Sequence, residues 1–329
     1  MGLWLTGYAI LMVKIAVILT GVLLLAAYLV LLERKLLGRF QARIGPNRTG
    51  IFGLLQPVSD GIKLLTKEDV MPQGAHRGIF LFAPAVVAAT ALLTFAVVPL
   101  GPELRLGGRK IPMVVTDMNV GLLYVFAMAS LSVYGVVLGG WASDSKYAML
   151  GSIRGAAQMI SYELALGLSI VPVVMLAGSL SLVDIVEAQA GRPFILVQPL
   201  AFFIFFISAM AESKRIPFDL PEAEAELGSG YHTEYSGMRF GMFFLGEYVQ
   251  MQVLGALTAV FFLGGWHGPF LPGPLWLVAK MVLVVVVMIW IRATLPRFRY
   301  DQLMDLGWKF LIPAALINIV ITGFVMVGI

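Results

Sequence analysis

Residues 8–32 read YAILMVKIAVILTGVLLLAAYLVLL, an apolar run interrupted by one charged residue, Lys14. A helix needs about 20 predominantly apolar residues to cross the hydrocarbon core of a bilayer. The run therefore predicts a membrane-spanning helix. It is also longer than the apolar region of a cleavable signal peptide, which holds about 7–15 residues, so we expect it to stay in the protein.

Further apolar runs of similar length follow along the chain. They are continuous rather than alternating, which favours helices over the strands of a membrane barrel. The eight predicted spans are residues 8–32, 79–99, 117–141, 153–177, 195–211, 241–264, 273–295 and 307–328. With no internal repeat and no low-complexity linker, residues 1–329 are expected to form a single all-α polytopic membrane domain with eight transmembrane helices.

The composition excludes several classes of function. Hydrophobic residues make up 59% of the 329 residues and charged residues 13%, against about 25% charged in an ordinary soluble domain. The net charge is +4, but the charges lie in loops, so the lipid bilayer and not nucleic acid is the predicted partner. Because the chain has no cysteine, it ligates no iron–sulfur cluster. No metal site is expected, and no nucleotide-binding motif is present.

The distribution of Lys and Arg between loops predicts the orientation. The loops after spans 1, 3, 5 and 7 contain 15 basic residues when Arg292, at the inner end of span 7, is counted with them, whereas the intervening loops contain four. By the positive-inside rule, the first set is cytoplasmic and both termini lie outside. The two large cytoplasmic loops are then residues 33–78 and 212–240.

The first large loop contains an amphipathic stretch. Its apolar face comprises Ile51, Leu54, Leu55, Val58, Ile62 and Leu65. Its polar face comprises Gln56, Ser59, Asp60, Lys63 and Lys67. This periodicity predicts a helix lying in the membrane interface.

Two acidic residues fall inside predicted spans. Glu163 lies about ten residues into the fourth span, and Glu247 about seven residues into the sixth. A carboxylate at such a depth costs several kcal/mol unless it is paired or hydrated, and intramembrane acids are functional by default. These acids suit reversible proton binding. The structural alternative is a static pair with a basic residue, or a protonated acid bonded to a backbone carbonyl.

The second large loop contains the acidic run PFDLPEAEAE, residues 217–226. If the run is helical, Glu222 and Glu226 share a face and Glu224 points elsewhere. Asp219 as an N-cap followed by acids is also ordinary chemistry for the start of a helix. The density of carboxylates favours a coupled group, because neighbouring acids raise one another's pKa.

Arginines alternate with aromatic rings in the last cytoplasmic loop, where Phe298 and Tyr300 interleave with Arg297 and Arg299. Positive-inside topology explains most of the arginine count, but this local pattern suits a polar headgroup bound at the membrane edge. From the residues alone, a proton-coupled transporter and a subunit of a proton-pumping redox complex are equally supported.

Two long motifs separate these alternatives. Residues 53–68, GLLQPVSDGIKLLTKE, and residues 217–230, PFDLPEAEAELGSG, resemble the two signatures of the family of H-type membrane subunits of NADH-quinone oxidoreductase, respiratory complex I. The stretches ERKLLGRFQARIGPNRTG (33–50), GYHTEYSGMRFGMFFLGEY (230–248) and RATLPRFRYDQLM (292–304) are also similar to that family. The resemblance covers essentially the whole chain.

The resemblance implies a subunit of an enzyme that couples quinone reduction to proton translocation. It implies that the acids linking the two processes are Glu163, Glu222, Glu224, Glu226 and Glu247. It implies a quinone chamber formed by Glu33, Arg34, Gln41, Arg43, Asp60, Phe218, Arg297 and Arg299.

The resemblance also implies partners and a location. Cluster-bearing hydrophilic subunits would cover the cytoplasmic loops, and small and antiporter-like membrane subunits would lie alongside. Quinone would be the substrate, with no covalently bound cofactor here, and the iron–sulfur clusters and FMN would sit on partner chains. The expected location is the bacterial inner membrane. The rivals are a related subunit of a membrane-bound hydrogenase and a self-standing proton-coupled transporter.

Overall fold

The protein is built mainly of helices. The computed structural model describes the backbone of residues 2–106 and 109–328, and their side chains except those of residues 2–6, 105, 106, 109, 224 and 225. The α-helices are α1 (Gly2–Phe40), α2 (Gln56–Thr66), α3 (Arg77–Thr94), α4 (Gly121–Ala142), α5 (Lys146–Ala177), α6 (Leu182–Glu187), α7 (Phe194–Val197), α8 (Pro199–Glu212), α9 (Glu224–Leu227), α10 (Gly237–Phe262), α11 (Gly273–Thr294), α12 (Tyr300–Asp305) and α13 (Ile312–Val327).

Short elements complete the fold. Strands β1 (Leu104–Leu106) and β2 (Arg109–Ile111) pair antiparallel, an addition to the all-α prediction. Ile51–Gly53 and Gly230–His232 are 3₁₀ turns, and a π-helical turn, Leu306–Leu311, joins α12 to α13.

Seven helical segments within the described residues are long and apolar enough to cross a membrane. They are Gly7–Phe40, Arg77–Thr94, Gly121–Ala142, Lys146–Ala177, Gly237–Phe262, Gly273–Thr294 and Tyr300–Val327. Each overlaps a predicted span, and the chain is a multi-pass membrane protein.

The predicted span 195–211 is divided into α7 and α8. Gln198 separates the two helices with φ −126° and ψ 57°. Pro199 disfavours the helical conformation of the residue before it and has no N–H to donate. The side-chain amide of Gln198 donates to the Thr322 hydroxyl and accepts from the Asn318 amide, both on α13. The 14 residues of α8 cover about 21 Å at 1.5 Å per residue, less than the hydrocarbon core of about 30 Å.

Helix α10 lies at the centre of the bundle. In its most apolar window 78% of the residues are buried, against 22–50% in the other six long helices. Small residues allow its close approach to α3. A Cβ added to Gly246 would lie 2.8 Å from Val87 Cγ1, and one added to Gly135 of α4 would lie 2.4 Å from Val87 Cγ2. This contact fixes the position of Glu247, the residue after Gly246.

Helix α2 lies in the first large loop, but it is shorter than the predicted amphipathic stretch. It begins at Gln56, because Phe52 and Gly53 have positive φ values of 52° and 76° that break the helical path. Its apolar residues Val58, Ile62 and Leu65 are exposed in this chain.

Candidate functional site

A buried cluster of charges joins four distant parts of the chain. Arg215, in the loop after α8, donates through Nη1 to Glu33 Oε1 of α1 at 2.9 Å. Its Nε lies 2.5 Å from Glu247 Oε1 of α10. Glu33 also accepts hydrogen bonds from Arg292 of α11 and, at 2.7 Å, from the Tyr248 hydroxyl.

The charges in this cluster are enclosed by protein. Glu33 is 2% exposed and Arg215 is 7% exposed. Burial alone lowers the pKa of Arg215, but Glu247, Tyr248 and Glu33 together raise it above its ordinary value. Arg215 therefore stays charged and holds the two carboxylates on either side of it. Removing one partner of such a buried pair leaves an uncompensated charge.

Two cavities continue from this cluster into the bundle. The nearer one, about 20 Å³, is lined by Glu247, Lys214, Glu212 and Gln250 together with apolar residues of α3 and α5. The deeper one, also about 20 Å³, is lined by Glu212, Gln250 and Glu163 together with mainly apolar residues. Glu212 and Gln250 line both cavities. Polar side chains therefore lead from Glu247 to Glu163.

Glu212 is the functional candidate that sequence reasoning misses. The apolar run places it first in the second large loop, but it is the last residue of α8 and is 3% exposed. Both of its carboxylate oxygens are buried without a hydrogen-bond partner in the described chain. The sequence does contain a signal for this residue, because Glu212 directly follows the apolar run 195–211.

At the deep end of this path, Glu163 on α5 accepts a hydrogen bond from the Ser130 hydroxyl of α4. The described residues give it no arginine or lysine partner within 4.0 Å. The Ser130 contact orients the carboxylate beside the deeper cavity, which the side chain lines.

The acidic run does not form the helix considered from sequence. Asp219 caps no helix, because α9 begins only at Glu224, after Ala223 with φ 33°. Glu222 therefore does not share a helical face with Glu226. The side chain of Glu224 lies outside the described part of the chain.

The three described acids of this run have different environments. Burial, reinforced by Asp219, raises the pKa of Glu222 to about 7. Burial also raises the pKa of Asp219 to about 6, against the opposing effect of Arg297. A hydrogen bond from Arg154 at 2.7 Å lowers the pKa of Glu226. Of these three acids, Glu222 and Asp219 are thus set to exchange protons near neutral pH, and Glu226 is not.

The residues assigned to a quinone chamber fall into several groups. Arg34 and Asp60 form an ion pair of 2.7 Å that ties α1 to α2, and Gln56 donates to the same carboxylate. Gln41 and Arg43 bond to each other at 2.8 Å just beyond the end of α1. Glu33 lies in the buried charge cluster instead.

Phe218 and Arg297 meet beside the acidic run. The Phe218 ring packs against Tyr162 and Phe298, with centroids 5.8 and 5.5 Å away. Arg297 donates to the Asp219 carbonyl at 2.5 Å. Arg299 lies apart, in an exposed pair with Asp301.

Gln158 of α5 is a second residue that sequence reasoning misses. Its amide donates to the carbonyls of Ala211 and Phe218 at 2.7 and 2.6 Å. It therefore ties both ends of the segment that carries Glu212, Lys214 and Arg215 to the core. Helix α5, and not the loop itself, therefore holds this segment in position.

Comparison with known proteins agrees with this architecture. Residues 13–323 match the family described as NADH dehydrogenase. An H-type subunit of the NADH-quinone oxidoreductase of Syntrophobacter fumaroxidans is 69% identical over 320 residues, with 97% of each chain covered. The corresponding protein of Geobacter metallireducens is 63% identical over 318 residues, again with 97% of each covered. That of Thermomicrobium roseum is 54% identical over 319 residues, with 94% of each covered. The chain therefore belongs to the NADH dehydrogenase family, as an H-type membrane subunit of NADH-quinone oxidoreductase.

Proposed function

We propose that this chain forms the quinone-binding chamber of a proton-translocating NADH-quinone oxidoreductase and couples quinone reduction to proton movement through its buried acids. One observation carries the proposal. Arg215 contacts both Glu33, from the set assigned to quinone, and Glu247, from the set assigned to protons. A change of charge on the chamber side therefore acts on the acid path through one guanidinium.

The chamber itself is proposed to lie between the end of α1, α2 and the acidic run. Arg34, Asp60, Gln41 and Arg43 line its membrane side, and Phe218 and Arg297 its inner side. Phe218 supplies a ring to pack against the quinone, while the arginines supply donors for its oxygens. Arg299 stands at the exposed rim.

The coupling step follows from charge balance. Two electrons and two protons convert a quinone into a quinol, and before protonation the reduced headgroup is negative. That charge competes with Glu33 and Glu247 for Arg215. Glu247 then takes up a proton, and protons redistribute through Glu212 toward Glu163.

Glu222, with its pKa of about 7, lies at the entrance where protons are exchanged. Glu224 and Glu226 complete the proposed acidic chain.

The topology is also proposed. The short helix α8 serves as the eighth span, α2 lies in the membrane interface through its exposed apolar residues, and both termini face the outside of the bacterial inner membrane. Subunits bearing iron–sulfur clusters and FMN cover the cytoplasmic loops, while small and antiporter-like subunits pack against the exposed apolar helices. Residues 1–329 act as one membrane domain.

The test is purification of the complex through a tag on this chain, followed by assay of NADH:quinone activity and proton pumping in proteoliposomes. Glu163→Gln should lower coupled activity and leave assembly intact, whereas Glu187→Gln, at an exposed acid of α6, should change neither. Wild-type coupled activity in Glu163→Gln removes that residue from the mechanism. Recovery with a hydrogenase module, or of the chain alone with its own proton flux, supports the two rivals instead.

A further inference from the structure

Lys214 is a buried cation whose position the proposed acid path does not yet explain. It lies two residues after the end of α8 and has a φ of 55°, in the left-handed region that a lysine rarely adopts. It is 7% exposed and lines the nearer cavity together with Glu212 and Glu247. The backbone turn therefore directs a charged side chain inward, into the space between two acids.

The neighbouring cations are already paired. Arg215 binds Glu33 and Glu247, and Arg292 binds Glu33. Lys214 has no ion pair within 4.0 Å among the described side chains. Its Nζ lies 5.3 Å from the centroid of the Tyr231 ring, a cation–π distance that holds an ammonium without neutralising it.

The surroundings of Lys214 are acidic. Burial lowers the pKa of Lys214, and Glu247, Glu212 and Glu222 partly oppose this by raising it. Arg215 is the next residue along the chain, and Tyr231 faces the ammonium from the 3₁₀ turn. The helices α3, α4 and α5 contribute only Val87, Ala91, Ser132 and Met159 to the cavity wall. Among the described residues that line this cavity, Lys214 is therefore the cation available to an acid that loses its proton.

We propose that Lys214 is a mobile counter-cation of the acid path, moving from the Tyr231 ring toward Glu212 or Glu247 when either one is ionised. This inference rests on the proposed function and deepens it. The four-carbon stem of a lysine lets one fixed backbone position serve both carboxylates. Lys214 acts as a positioning residue, because it stabilises the ionised acids and does not touch the substrate.

The test is the pH profile of proton pumping by the whole complex, with rates normalised to the amount of this chain. In Lys214→Met the acid limb of the profile should move to higher pH by about one unit, because ionised acids lose a nearby charge. Lys214→Arg should restore the limb to within about 0.3 unit, since the charge is kept. Lys146→Met, at an exposed lysine, is the matched control and should not move it.

Two results would overturn the proposal: an unshifted profile in Lys214→Met, or an equal shift in Lys214→Arg. Lys214→Gln is measured in parallel, so the comparison stands even where the methionine variant fails to assemble. Failure here is separable from failure of the proposed function. An unshifted Lys214→Met beside an impaired Glu163→Gln rejects only the counter-cation, whereas wild-type coupling in Glu163→Gln removes the acid path.

Discussion

Glu33 and Arg215 are 182 positions apart in the chain and meet in a buried ion pair of 2.9 Å. The pair connects the end of the first helix with the loop after α8, and the same guanidinium reaches Glu247. It is the structural link between the two groups of residues on which the proposed coupling depends.

Loss of this link should destabilise the protein. We expect Arg215→Met to cost about 3–5 kcal/mol of stability, because it leaves Glu33 and Glu247 buried without their partner. The exposed pair Arg34–Asp60 is the comparison, and Arg34→Met should cost about 0–1 kcal/mol. Thermal midpoints of the detergent-solubilised complex measure both effects. Equal losses in the two variants would show that burial of the pair does not matter.

Glu212 should be required for coupling, because it alone among the described acids lines both cavities. Glu212→Gln should lower quinone-linked proton pumping at least about tenfold, the effect of losing a group that transfers protons. Glu103→Gln, at an exposed acid, should keep the wild-type rate. Proteoliposome pumping assays compare them, and a Glu212→Gln complex that pumps normally would contradict the path.

Glu222 should make stability depend on pH in a predictable direction. The folded chain keeps this proton up to a pH of about 7, whereas an unfolded glutamate releases it near about 4.3. The folded state therefore loses stability as pH rises from about 5 to 7, because the unfolded state binds fewer protons over that range. In Glu222→Gln this loss should disappear.

The measurement is the change in thermal midpoint between pH 5.5 and 8 for wild type and Glu222→Gln. Glu226→Gln serves as the control and should keep the wild-type pH response, because Arg154 lowers the pKa of Glu226 and its contribution is lost only below a pH of about 4.3. A wild-type pH response in Glu222→Gln would place that side chain in water rather than in protein.

The contact between α10 and α3 should tolerate no side chain at Gly246. A Cβ there would lie 2.8 Å from Val87 Cγ1 and 3.3 Å from the Val87 carbonyl. Gly246→Ala should cost about 1–3 kcal/mol through overpacking, and Val87→Ala should relieve part of it. Gly167→Ala, with no neighbour closer than 3.8 Å, is the matched control. The yield of assembled complex reports the effect, and unchanged yield would disprove close packing.

Helices were the part of the fold most open to prediction from sequence. Apolar runs report the environment of each segment directly, so every long helix overlaps a predicted span. The break at Gln198 was less visible, because it depends on one proline and on bonds between the Gln198 side chain and Asn318 and Thr322, which are distant in the sequence.

The acids of the site could be predicted from the sequence, but their ion-pair partners could not. Glu163 and Glu247 stand out because carboxylates are rare inside apolar runs. The partnership of Arg215 with Glu33 and Glu247 depends on how three helices and a loop pack, and no local spacing encodes it. Glu212 was not predicted as a site residue because the predicted span ends at residue 211, which places this buried acid in a surface loop.

The shortness of α8 has an electrical consequence in the proposed topology. A helix of about 21 Å leaves about 9 Å of the hydrocarbon core to be filled by the residues at its two ends, which include the charged segment that begins at Ser213. The insulating layer is locally thinner there, and the membrane voltage falls across a shorter distance. A proton at Glu247 would then lie inside the bilayer, yet it would have crossed little of the membrane voltage. Most of the work against the potential, about 2.3 kcal/mol per 100 mV for a full crossing, would be done beyond Glu163.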